Sequence, residues 1–179
     1  MAGTIPLQTP RLLLRRHVPE DAGLLYRSFG TDAAMYRYSG WNPYASLEQA
    51  RETVQRFLDS YVDPRFYSWA IEREGRMIGT IGAYDYDQEE NQIEVGFSIE
   101  RASWGKGYAA EALEAVLEYL TVQEDIVRVT AWCASDNIAS KRTLEKAGMR
   151  FSGVDMGGLE VDGQRYDKRV YTYSDQESE

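Results

Sequence analysis

The run Trp104-Gly105-Lys106-Gly107-Tyr108-Ala109 constrains this chain more than any other stretch. Before it, Ile93, Val95, Phe97 and Ile99 alternate with Gln92, Glu94, Gly96 and Ser98 in the period of a strand. Behind it, Tyr108, Ala112, Val116, Leu117 and Leu120 recur at helical steps opposite Glu111, Glu114 and Glu118. A glycine-rich turn between a strand and a helix lets main chain approach a bulky anion. The first amides of the helix have no partner inside it and point at that anion. The loop therefore suits a phosphate or diphosphate. A dinucleotide fingerprint would read G-x-G-x-x-G, but Ala110 holds the place of its third glycine. Nor does Gly105-Lys106-Gly107 have the spacing of a P-loop.

The rest of the chain supplies a frame for this loop. Arg11 to His17 predicts a first strand, and Pro19 to Phe29 a short helix with proline in its first turn. Ser46 is placed to cap a helix running to Tyr61. Phe66 to Glu72 and Met77 to Tyr86 flank the turn Arg73-Glu74-Gly75-Arg76 as a hairpin. Ile126 to Trp132 reads as a further strand, and Asp136 and Asn137 offer caps to a helix that closes at Gly148. Phe151 to Met156 and Lys168 to Tyr173 complete a strand pair, with turns at Gly157-Gly158 and Asp162-Gly163. The order predicts a mixed α/β fold: a mostly antiparallel sheet with helices on its faces, a single domain over 1–179 with a frayed tail at 175–179.

Composition narrows the function classes. The formal net charge of −9 argues against nucleic-acid binding, which needs a basic surface. It is compatible with a cationic small molecule or basic peptide as partner, and equally with plain solubility. The lone cysteine, Cys133, sits in an apolar run and reads as core filling in a reducing compartment. The lone histidine, His17, has no Cys/His cluster to join, so no metal site is expected. No apolar run approaches a bilayer span and no signal segment opens the sequence, so a cytoplasmic protein is expected. Between the first two helices, Tyr38, Trp41 and Tyr44 either line a substrate pocket or serve as ordinary core aromatics.

A second motif adds specificity: Asn137-Ile138-Ala139-Ser140, followed by Leu144-Glu145-Lys146-Ala147-Gly148-Met149. With it, Ile93 to Tyr119 and Val127 to Phe151 resemble the GNAT superfamily of acyl-CoA-dependent N-acyltransferases. The opening Thr9-Pro10-Arg11-Leu12-Leu13-Leu14-Arg15 is similar to the branch that acetylates ribosomal-protein N-termini (Rim type). The resemblance implies a sheet with a splayed parallel strand pair and acetyl-CoA as donor. It implies that main-chain amides from Gly105 through Lys106, Gly107, Tyr108 and Ala109 grip the coenzyme diphosphate. Trp104 stands where the superfamily usually has arginine or glutamine. Main-chain groups around Phe97, Ser98 and Ile99 would pair with the pantetheine arm, and Asn137 would contact it or hold its loop. Lys106 either meets an outer phosphate or is simply solvated. Homodimers are frequent among such relatives.

Acyl transfer from a thioester to an amine needs alignment, a proton acceptor for the incoming ammonium, and a proton for the leaving thiolate. Glu94 is the candidate base: its strand leads into the loop, and its face carries Gly96 and Ser98, whose small size leaves room for substrate. The alternative is a solvent-facing carboxylate, and a bulge in this strand would redirect it. The family's usual acid is a tyrosine, which Leu144 replaces here; the resemblance to the Rim branch transfers that role to Ser140. A main-chain amide near Phe97 would stabilise the oxyanion. The reading is N-acetylation of a primary amine, on a small molecule or a peptide N-terminus. An acyl-CoA sensor without turnover, or an assembly protein that has lost the coenzyme, are the competing classes.

Overall fold

The computed structural model describes residues 1–36 and 44–175. Tyr38, Trp41 and residues 176–179 of the expected tail lie outside the described residues. Eight strands form one sheet: β1 (Leu7–Gln8), β2 (Leu13–Arg15), β3 (Tyr67–Arg73), β4 (Arg76–Asp87), β5 (Gln92–Ile99), β6 (Arg128–Ala134), β7 (Arg150–Val161) and β8 (Gln164–Tyr173). Their order is β1-β2-β3-β4-β5-β6-β8-β7. Every neighbouring pair is antiparallel except β5–β6. The helices are α1 (Asp21–Leu24), α2 (Ala33–Tyr36), α3 (Leu47–Ser60), α4 (Tyr108–Glu118) and α5 (Ile138–Lys146). The expected fold class is the one observed.

Two apolar clusters divide the faces of the sheet. On one face, Leu113, Val116 and Leu117 of α4 and Leu144 of α5 pack on Trp69, Ile71, Ile81, Ile93, Val95, Val129 and Tyr171. Each such aliphatic side chain, fully buried, contributes about 1.5–3 kcal/mol. Cys133 is buried in this cluster, as core filling predicts. On the other face, Ala22, Leu25, Phe29, Ala50 and Val54 of the α1–α3 region gather around the sheet residues Ala70 and Met77. Tyr44 is buried there, and desolvation pushes its phenol up to about 12. Of its two readings, Tyr44 takes the core one. This matters for the site: among the described residues, the second cluster reaches the sheet at β3 and β4, and no residue of β5, β6 or β8 joins it.

Several boundaries differ from the expected ones for physical reasons. The first strand shortens to Leu13–Arg15 because side chains capture the next amides: Tyr61 Oη accepts from His17 at 2.8 Å, and Asp21 Oδ2 from Val18 at 2.9 Å. The helix begun at Asp21 widens into a π-helical turn, Leu25–Gly30. Ser46 caps α3 as expected, its hydroxyl accepting from the Gln49 amide at 3.1 Å. Gly157-Gly158 is not a turn. β7 runs through it as a bulge between Asp155 and Leu159, where the Gly157 amide donates to Asp167 Oδ1 at 2.7 Å. The hairpin turns only at Asp162-Gly163, both with positive φ.

Candidate active site

The parallel pair opens into a cleft. β5 and β6 share a ladder only from Gln92/Arg128 to Glu94/Thr130. Beyond that rung β5 continues to Ile99 paired with β4, and β6 to Ala134 paired with β8. The β6-facing main-chain groups of β5 past Glu94 thus have no strand partner among the described residues. Phe97 and Ser98, both half-buried, sit on this open edge; the Ile99 carbonyl is already taken by the Trp104 indole N–H at 2.7 Å. Trp104 therefore ties the end of β5 to the loop.

Past Trp104 the chain turns through two left-handed glycines, Gly105 (φ 74°) and Gly107 (φ 81°). Gly107 is the N-cap of α4 and offers no side-chain cap, so the first-turn amides of Tyr108 and Ala109 stay available. Basic groups converge here. A Cβ on Gly107 would lie 3.0 Å from Lys146 Nζ and 3.4 Å from Arg11 Nη2. Arg11 is braced by Glu111 (Nε to Oε1, 2.9 Å) and by the Lys106 carbonyl (2.9 Å), and lies 4.6 Å over the Tyr108 ring. Partial burial opposes charge on Glu111, yet Arg11 and Thr9 hold its carboxyl below the usual range. Lys106 is exposed, with Nζ 3.4 Å from the Ala102 carbonyl. A cavity of about 260 Å³ adjoins the loop, lined by Arg73, Arg76, Ser103, Lys106 and Tyr108 among others.

At the far end of β6, Asn137 and Ser140 form a reciprocal pair. Asn137 Oδ1 accepts from the Ser140 amide at 3.2 Å, and Asn137 Nδ2 donates to Ser140 Oγ at 3.0 Å. The same residue caps α5 and holds the hydroxyl.

The uncovered face can be read rung by rung. Tyr84, Glu94, Thr130 and Thr172 form one row; Gly82, Gly96, Trp132 and Val170 follow; Thr80, Ser98, Ala134 and Lys168 come next, with the cleft between β5 and β6. No register shift interrupts β4–β5 from Gly79/Ile99 to Tyr84/Glu94, so Glu94 keeps the direction its alternation gives it. It is half-buried. The room expected above Gly96 is taken by Tyr84, whose hydroxyl lies 2.9 Å from where a Gly96 Cβ would be. Desolvation and the neighbouring Glu94 charge hold the Tyr84 phenol well above its usual range, so it keeps its proton.

Tyr84, Arg11, Lys146 and the Trp132–Lys168 pair were not singled out from sequence. The Phe66–Tyr86 hairpin placed Tyr84 on β4, but only the β4–β5 register sets it opposite Glu94. His17 is buried, Nδ1 3.3 Å from Asp21 Oδ2 and Nε2 3.4 Å from Thr80 Oγ1. No group of three or more His, Cys, Asp or Glu among the described residues is arranged to hold a metal ion. Among them, no helix is long and apolar enough to cross a membrane.

Comparison with known proteins identifies the arrangement. The acetyltransferase (GNAT) domain family matches residues 11–150. The uncharacterized N-acetyltransferase YoaA of Bacillus subtilis is 34% identical over 168 residues, 93% of this chain and 94% of YoaA. Among solved structures, the ribosomal L7/L12 α-N-protein acetyltransferase RimL, in complex with coenzyme A, superposes with TM-score 0.86 at 18% identity, covering 95% and 98% of the two chains. The microcin C7 self-immunity acetyltransferase MccE, in complex with acetyl-CoA and AMP, gives 0.84 at 16% identity, covering 93% of each. At those identities the two structures speak to the fold alone. The family match over most of the chain, with a relative at 34% identity along nearly its full length, settles the membership: the chain belongs to the GNAT family of acetyltransferases.

Proposed function

We propose that the protein transfers an acetyl group from acetyl-CoA to a primary amine, both reactants meeting in the β5–β6 cleft. The observation that carries this reading is the juxtaposition of an open strand edge with a left-handed glycine cap that Arg11 and Lys146 approach, Lys106 preceding it in the loop. The two complexes named above, RimL with coenzyme A and MccE with acetyl-CoA, support the choice of donor.

In this reading the amides from Gly105 to Ala109 hold the diphosphate, and Arg11, Lys106 and Lys146 balance its charge. The free edge at Phe97 and Ser98 pairs with the pantetheine arm, and the donor supplies an activated acetyl thioester. An amide near Phe97 donates to the carbonyl oxygen as charge builds on it. The amine enters from the uncovered face. Glu94, directly or through one water, takes a proton from the incoming ammonium; the nitrogen lone pair forms the N–C bond, the C–S bond breaks, and the nitrogen gives its second proton to solvent. Ser140, held by Asn137, gives its proton to the departing sulfur and is reprotonated from solvent.

RimL is a ribosomal L7/L12 α-N-protein acetyltransferase and MccE a microcin C7 self-immunity acetyltransferase, so one fold serves different acceptors. The test is release of free thiol from acetyl-CoA with a panel of amines and basic peptides. Amine-dependent release with stoichiometric N-acetyl product is the expected result. Tight acetyl-CoA binding with no thiol release from any acceptor would identify a sensor instead.

A further inference from the structure

Lys168 presents a charge that the transfer chemistry above does not use. Its place opposite Ala134 puts it on the same face as Glu94, beyond the cleft. Its Nζ lies 4.3 Å from the centre of the ring of Trp132, which sits two residues before Ala134 on β6. An indole face orients an ammonium without neutralising it. No carboxylate among the described residues lies within 4.0 Å of Nζ. Asp155 faces Lys168 across β7–β8, but its carboxylate is turned onto Gly158, filling the space a side chain would occupy there. The result is a half-buried cation held on an indole face, with no carboxylate in ion-pair contact among the described residues. At about 3.3 Å per residue and 4.8 Å between strands, the Trp132 position would lie roughly 8 Å from Glu94 in an unbroken ladder; because β5 and β6 part there, Lys168 stands farther off, across the mouth of the cleft.

We infer that Lys168 binds a carboxylate of the acceptor, so the acceptor is an amine with a carboxylate a few bonds from its nitrogen, as in an amino acid. This rests on the transfer reading. A nitrogen poised within one water of Glu94 leaves a gap to Lys168 that such a molecule spans. A purely cationic amine would instead meet repulsion there. The overall negative charge of the chain therefore misleads about the acceptor, because the charge that meets it is local.

The experiment pairs each of several amino acids with its decarboxylated amine and reads kcat/KM by thiol release at saturating acetyl-CoA. The wild-type protein should favour the carboxylated member at least tenfold. Lys168→Met should lower that ratio at least tenfold, and Lys168→Arg should restore most of it; melting temperature and acetyl-CoA binding report folding of each variant. A ratio near one in the wild type, a preference for the decarboxylated amines, or an unchanged ratio in Lys168→Met overturns the assignment of Lys168 while leaving acetyl transfer intact. Binding of acetyl-CoA with no thiol release from either series overturns the transfer reading, and this inference with it.

Discussion

Tyr84 stands directly opposite Glu94 across β4–β5, and its hydroxyl leans over Gly96, so the candidate base is walled on one side by a phenol that keeps its proton. In the proposed transfer the acceptor then approaches from the other side, over the β5–β6 cleft.

Glu94→Gln should lower kcat by about 10²-fold or more, the usual range for loss of a general base, and leave the acetyl-CoA dissociation constant unchanged. The loss should be greatest at mildly acidic pH, where the acceptor arrives as ammonium, and shrink as the pH nears the acceptor's own pKa. Tyr84→Phe should have a smaller effect in the same direction. A pH–rate profile for both variants is the measurement. Identical profiles for Glu94→Gln and wild type would remove Glu94 from the mechanism.

Gly107→Ala tests the diphosphate loop. A left-handed backbone costs a non-glycine residue about 1–2 kcal/mol. The added methyl would also press on Lys146 Nζ and Arg11 Nη2, the two cations that close on the loop. Both side chains can swing aside, so the protein should fold with a modestly lowered melting temperature. Calorimetry should show acetyl-CoA binding weakened at least tenfold, about 1.4 kcal/mol. Unchanged affinity would place the diphosphate elsewhere.

How much of this was legible beforehand depends on range. β5 and α4 were readable because each carries its own period over a full element, and Ser46 and Asn137 announced their helices because a cap acts within three residues. What eluded the sequence was brought together by the sheet. Arg11 meets Glu111 across 100 residues, and Lys146 reaches Gly107 from another helix. β1, two residues long, pairs in the sheet with β2 and packs Leu7 on the core. Gly157-Gly158 carried a turn signal, but pairing with β8 and the Asp167 carboxylate turned it into a bulge. Glycine marks where the chain can bend sharply; the neighbours decide whether it does.

Ser140→Ala should reduce kcat about tenfold, on the order of 1.4 kcal/mol, with stability little changed, because Asn137 Oδ1 still accepts from the residue 140 amide. Asn137→Ala should do both: lose the cap, at about 1 kcal/mol of stability, and free the Ser140 hydroxyl. Comparing melting temperature with kcat for the two variants separates capping from chemistry. A wild-type rate for Ser140→Ala would mean that solvent protonates the thiolate.

Asp21 governs the acid limb of stability. Burial alone would raise its carboxyl, but His17 beside it, two Arg15 hydrogen bonds at 3.0 Å and the Val18 amide override burial and hold it well below the usual carboxylate range. A depressed folded-state pKa contributes stability that is fully present above the unfolded value of about 4 and is lost as pH falls through the folded one. Between pH 7 and 5 this group should leave the melting temperature flat; below about pH 4 stability should fall. Asp21→Asn strips the charge that Arg15 and His17 share and should cost about 3–5 kcal/mol at pH 7, the range for breaking a buried ion pair. It should also flatten the decline below pH 4, because the variant has no carboxylate left to protonate. Melting curves of both proteins from pH 7 to pH 2.5 decide it, and parallel acid limbs would show that another carboxylate, such as Glu100 beneath Arg76, controls the loss.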